Sequence, residues 1–262
     1  MRQELRNAFT TPRFWIALAA MTICLFGFSL PTWVIRLGDG DRMYMDALSQ
    51  GFSPIFFGGA ILIFPFLATL AYATSQVDEI RTGFMQTKAI RTTTIKYIWT
   101  KIVPVALSGA AVMGLAVLIH SIVWNIVAGP YDPIARPDTE VFMTEGTVYN
   151  TLMKTPYAWQ AFLHAVIGFA ITGAVWSVVG LASSAWIPDK ILTITVPVAV
   201  YFFWAYRLPY RLFGINAPTP SALYNDGQYW SVYYTAVVLH IIVFLVAALL
   251  YYKGIKRRLQ NA

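Results

Sequence analysis

The sequence predicts an all-α integral membrane protein of six transmembrane helices, and three observations lead there. Apolar residues fill 58% of the 262 positions and charged residues 12%, where soluble domains carry about 25% charge. The mean hydropathy is +0.59. Apolar runs near the ~20 residues that cross a bilayer recur along the whole length. Backbone groups in lipid must find partners within their own segment, which makes helices the expected form of such runs. No uninterrupted polar stretch exceeds roughly thirty residues, so 1–262 reads as a single transmembrane domain.

The expected spans are 14–36, 55–77, 102–128, 159–187, 191–207 and 232–252. The first begins near Phe14, has no small-residue cleavage site behind it and reads as an anchored helix rather than a signal peptide. Its Cys24 is the chain's single cysteine, which leaves no intrachain disulfide. The second ends at the acidic pair Asp78 and Glu79. The third follows a polar, basic stretch in which Thr92, Thr93 or Thr94 can cap a helix. The fourth is longer than a bilayer needs and is expected to tilt or to start above it. The fifth is short and holds Pro197, which removes a backbone donor.

Charge sets the orientation. With the N-terminus inside, thirteen of the nineteen Lys and Arg residues lie on the inner side and eight of the twelve acids on the outer. The positive-inside rule then places both termini in the cytoplasm. Trp33, Trp124, Trp159, Trp204 and Trp230 mark the outer interface, and Trp15, Trp99 and Trp186 the inner. The net charge of +7 follows membrane orientation in this way rather than pointing to nucleic acid. The two largest outer loops, 129–158 and 208–231, are rich in Pro, Tyr and Gly and too small to fold separately.

The one substantial inner loop reads VDEIRTGFMQTKAIRTTTIKYIWTKI, residues 77–102. Gly83 permits a turn, and Phe84, Met85, Ala89 and Ile90 fit one apolar side of a short helix. From the residues alone, this element is either a helix lying on the lipid surface or a dock for a cytoplasmic partner.

The pattern acid–x–x–x–Gly (Glu79 to Gly83), then Lys88-Ala89-Ile90-Arg91, then an aromatic-aliphatic run ending in Lys101, resembles the permease subunits of ABC-2 type ABC transporters. The likeness covers the whole chain: its length, six spans, cytoplasmic ends and a lone large inner loop. In that family the segment is the coupling helix, seated in a groove of the ATP-binding subunit. The resemblance implies an ATPase-coupling role for Asp78, Glu79, Arg81, Gly83, Phe84, Met85, Lys88 and Arg91. It also implies two copies of an ATPase that binds ATP and Mg, a second permease copy or paralogue, and a bacterial cytoplasmic membrane. Leu208-Pro209-Tyr210-Arg211-Leu212-Phe213-Gly214, followed by Pro218, Pro220 and Leu223-Tyr224, is similar to the family's short re-entrant elements before the last span. A departure is Ala89-Ile90-Arg91, where members often have proline in the turn after the coupling helix.

No Gly-x-x-x-x-Gly-Lys-Ser/Thr loop occurs, so the chain is expected to be non-catalytic and any ATP hydrolysis to belong to a separate subunit. His-Glu-x-x-His and Gly-x-Ser-x-Gly are also missing, and the spans hold almost no acid. His120, His164 and His240, with Asn125, fall in the outer half and are candidates for lining an outer cavity. Single histidines on three helices more often serve as buried hydrogen-bonding residues than as metal ligands, and no metal is expected. Small outer loops and aromatic walls point to an amphipathic or hydrophobic substrate moved outward, such as an antimicrobial peptide, a drug or a lipid. The alternatives are an integral membrane enzyme and a non-transporting scaffold.

Overall fold

The computed structural model describes residues 1–38, 63–90, 92–128, 148–153, 159–207, 219–223 and 229–260. Ten α-helices occur among them: α1 Arg2–Thr10, α2 Pro12–Gly38, α3 Phe64–Tyr72, α4 Ser75–Arg81, α5 Phe84–Ile90, α6 Thr94–Ala128, α7 Val148–Met153, α8 Trp159–Trp186, α9 Lys190–Phe202 and α10 Trp230–Gln260. A π-helical turn, Phe203–Arg207, extends α9, and a 3-10 turn, Pro220–Leu223, precedes α10. The described residues contain no β-strand. Four helices are long and apolar enough to cross a membrane, within Pro12–Ser29, Thr94–Val123, Phe162–Trp186 and Trp230–Gln260, and Lys190–Ala205 is a shorter apolar helix. The chain is therefore a multi-pass helical protein of membrane character.

The helix ends follow local chemistry. Thr11 precedes a proline and is extended, at φ −65° and ψ 138°, because the proline ring disfavours helical geometry in the residue before it. That break separates α1 from α2, where the sequence predicts a single span beginning at Phe14. Thr93 Oγ1 accepts from the Lys96 amide at 3.4 Å, so α6 starts at Thr94 rather than at residue 102. Asp189 accepts from the amides of Ile191 and Leu192 at 2.8 and 3.1 Å and starts α9, immediately after Pro188. The last helix runs eight residues past the predicted 252, and its basic end is put to use. Arg258 donates to the carbonyls of Ala185 (2.6 Å) and Trp186 (2.9 Å), which are orphan acceptors at the end of α8.

Helix α8 is the hub. It packs along α6 more extensively than any other pair of elements, and also against α10, α3 and α9. Without a hydrophobic force between helices in lipid, close approach requires small residues. A Cβ added at Gly109 would lie 2.5 Å from the Gly173 carbonyl, and one at Gly173 would strike the Gly109 carbonyl. The main core joins Phe14, Met21 and Leu25 of α2 with Phe64 and Leu67 of α3, Met113 of α6 and Phe169 of α8. Ala222 and Leu223, just before α10, are fully buried in it. A second core, around Tyr72, Met85, Tyr97, Leu181 and Tyr251, fills one end of the bundle.

Of the tryptophans expected at the interfaces, Trp15, Trp99 and Trp186 are 59%, 51% and 43% exposed. Trp204 departs from the expectation: it is buried against Trp176 and Tyr201, because the π-helical turn rotates it into the bundle rather than toward an interface. The side chains of Trp33, Trp124 and Trp159 lie outside the described residues.

Candidate functional site

The polar stretch that opens with Val77 folds into two short helices, not one. Gly83 sits at φ +69°, a left-handed conformation that side-chain-bearing residues disfavour. The turn there ends α4 and leads into α5 two residues on. Every described charged side chain of this hairpin is anchored within the chain.

Two ionic clusters do the anchoring. In the inner one, Lys101, 1% exposed, donates to Glu4 at 2.8 Å and to Glu79 at 2.6 Å. Lys88 also donates to both carboxylates, with 2.7 Å to Glu79. Tyr72 donates to Glu4 at 2.8 Å and Tyr97 to Glu79 at 3.2 Å, while Gln76 accepts from Tyr251 at 3.0 Å. Two carboxylates and two ammonium groups thus tie together α1, α4, α5 and α6. A buried ion needs this: losing one partner leaves a charge stranded away from water. Burial alone would raise the Glu4 carboxyl, but Lys101, with Lys88 and Tyr72, holds it down at about 2. Burial pulls on the Lys88 ammonium in the opposite sense from its two carboxylates, and the carboxylates win, raising it.

The outer cluster is more exposed. Asp78 accepts from Arg13 at 3.0 Å and Lys190 at 2.6 Å, and Arg81 reaches Asp189 at 3.3 Å and the Pro188 carbonyl at 3.0 Å. Burial raises the Asp78 carboxyl and its two cations more than offset that, lowering it. Asp189 is also lowered, first by the Leu192 amide of its own helix start. These pairs pin α4 to the start of α2 and to the α8–α9 junction.

The structure therefore brings Asp78, Glu79, Arg81, Gly83 and Lys88 together, with Glu79 and Lys88 largely covered and Asp78 and Arg81 paired at the surface. It separates Phe84 from Met85. Met85 is 4% exposed and belongs to the second core, whereas Phe84 is 49% exposed with the Lys88 ammonium 4.6 Å from its ring centre. Consecutive helical positions differ by about 100°, and here that angle is enough to turn Met85 into the bundle and leave Phe84 at the surface. Arg91 and the side chains of Ala89 and Ile90 lie outside the described residues. Glu4 and Tyr72 are participants that the sequence did not reveal. A signal was available in the lone acid of an otherwise basic first helix.

The outer histidines do not converge. His120 shares a 2.9 Å hydrogen bond with Ser29 Oγ and packs on Phe26. His164 packs at a tilt on Tyr233, ring centroids 4.8 Å apart, and His240 bonds the Ala236 carbonyl at 2.8 Å beside Trp204. His240 also borders an apolar groove of about 200 Å³ between α8 and α10. No group of three His, Cys, Asp or Glu able to hold a metal occurs among the described residues. The Asn125 side chain, Arg211 and the re-entrant segment 208–218 lie outside them.

This arrangement defines a multi-pass helical bundle with a charge-anchored helical hairpin at one end. No family model, curated relative or solved structure matches the chain.

Proposed function

We propose that this protein is the membrane-spanning permease subunit of an ATP-driven transporter of the ABC-2 type, with six spans, both ends in the cytoplasm and α5 as the coupling element. One observation carries the reading: a short helix, set off by the Gly83 turn and held by ion pairs to two other helices, α1 and α4, turns a large apolar side chain, Phe84, outward. A helix meant to lie on lipid needs an apolar stripe, and here Met85 is already used inside the protein. A rigidly anchored hairpin with one protruding aromatic suits a socket in a partner, and force on α5 would reach α6 through Glu79 and Lys101. The partner is a pair of ATPase subunits that bind ATP and Mg, and the membrane unit holds a second permease copy or a paralogue. The cargo is an amphipathic or hydrophobic molecule moved outward.

The test is co-purification with a phosphate-loop ATPase encoded beside this chain. Burying a Phe side chain contributes about 1.5–3 kcal/mol, so Phe84→Asp is expected to weaken ATPase retention at least tenfold and to abolish transport-linked hydrolysis. The thermal midpoint of the permease should hold, since Phe84 is exposed. Retention of the ATPase by Phe84→Asp at the wild-type level, or absence of any ATPase from the wild-type complex, overturns the reading.

A further inference from the structure

The described carboxylates at the hairpin end are all engaged. Glu4 and Glu79 take Lys88 and Lys101, Asp78 takes Arg13 and Lys190, and Asp189 takes Arg81. The tail of α10 brings Lys253, Lys256, Arg257 and Arg258 to the same end, with no carboxylate partner among the described residues. Two of these cations line a cavity of about 460 Å³ between the hairpin (Gly83, Gln86), the end of α8 (Trp186) and α10 (Arg257, Arg258), and no acid lines it among the described residues. Arg258 is held in place by the Ala185 and Trp186 carbonyls, and the Arg257 guanidinium lies 6.0 Å from the Trp186 ring. Trp186 and Ile187, 43% and 49% exposed, sit where an apolar helix long enough to span a bilayer stops. Indole side chains favour that depth, where headgroups begin.

We propose that this cavity binds the phosphate of an anionic lipid headgroup, with Arg257 as its principal ligand, Arg258 as a fixed second cation and Trp186 at the boundary with the acyl chains. The inference rests on the membrane placement of α8 and α10 and not on the transporter reading. Clustered cations next to a span attract anionic lipid at about 1 kcal/mol each, and the apolar rim of Trp186 and Ile187 favours a lipid phosphate over a free one.

The experiment titrates phosphatidylglycerol and phosphatidylcholine into the full chain in detergent and reads bound lipid by native mass spectrometry. Phosphatidylglycerol is expected to bind preferentially. Arg257→Gln should lower its affinity about fivefold with an unchanged thermal midpoint, and Lys96→Gln, which does not line the cavity, should leave it unaltered. Equal binding of the two lipids, or an unchanged affinity in Arg257→Gln, overturns the proposal. Displacement by equimolar inorganic phosphate would assign the cavity to a free anion, and displacement by an equimolar polyglutamate peptide to a protein partner. Either result also overturns it.

Discussion

At Lys101, one ammonium group is shared by two carboxylates from segments 97 and 22 residues away in sequence. Its side chain is 1% exposed, so water cannot replace a lost partner. Lys101→Met should therefore cost about 3–5 kcal/mol, read as a lower unfolding midpoint in detergent. Adding Glu79→Gln should recover part of that loss, because it removes one of the stranded charges. Glu4 supplies the matching pH dependence. Its folded value of about 2 lies below the ordinary 4.5, so the folded state favours the carboxylate. That contribution is complete above pH 4.5 and fades as the pH falls toward 2. The difference in unfolding midpoint between wild type and Glu4→Gln, measured from pH 6 downward, should shrink over that window. A constant difference would contradict the assignment.

Among the elements, the α6–α8 crossing depends on two backbones touching. A methyl group at Gly173 would meet the carbonyl of Gly109, and backbone cannot step aside as a flexible side chain can. Gly173→Ala is expected to cost about 1–3 kcal/mol through forced separation of the helices. Gly27 on α2 has nothing within 4 Å of an added Cβ, and there alanine should stabilise by roughly 0.5–1 kcal/mol through its better helix propensity. Opposite signs for these two identical substitutions, seen as shifts in the unfolding midpoint, would locate the tight seam.

For the molecule as a whole, α1, the α4–α5 hairpin, the α8–α9 junction and the end of α10 meet at one end through ion pairs and carbonyl contacts. These are the segments that the Lys and Arg count assigns to the cytoplasm. With Cys24→Ser as background, cysteines at Gln86 and Gln260 should resist an impermeant thiol reagent in intact cells and react after permeabilisation, whereas cysteines at Asp138 and Asp226 should react at once. Gln86 suits the inner probe because it is exposed, whereas nearby Lys88 is tied to Glu4 and Glu79. Labelling of Gln86→Cys from outside would invert or break the six-span topology.

The sequence by itself determined the helical class, the turn at Gly83, a cap among Thr92, Thr93 and Thr94, and the break before Lys190. Each is a local matter: a backbone in lipid must satisfy itself within a few residues, and glycine, threonine, proline and aspartate act on their immediate neighbours. It also placed most of the cations on one side, thirteen of the nineteen, since composition near the spans carries that bias. Tertiary structure alone decided that Glu4 and Glu79 converge on Lys88 and Lys101, that Met85 turns inward while Phe84 turns out, and that Trp204 is buried rather than interfacial. Those outcomes depend on which helices pack side by side, and residues separated by 97 positions carry no local trace of their pairing. The first helix escaped a reading by span length for the same reason. At nine residues it is too short to cross a bilayer, and its one buried acid becomes intelligible when the lysines of α5 and α6 are beside it.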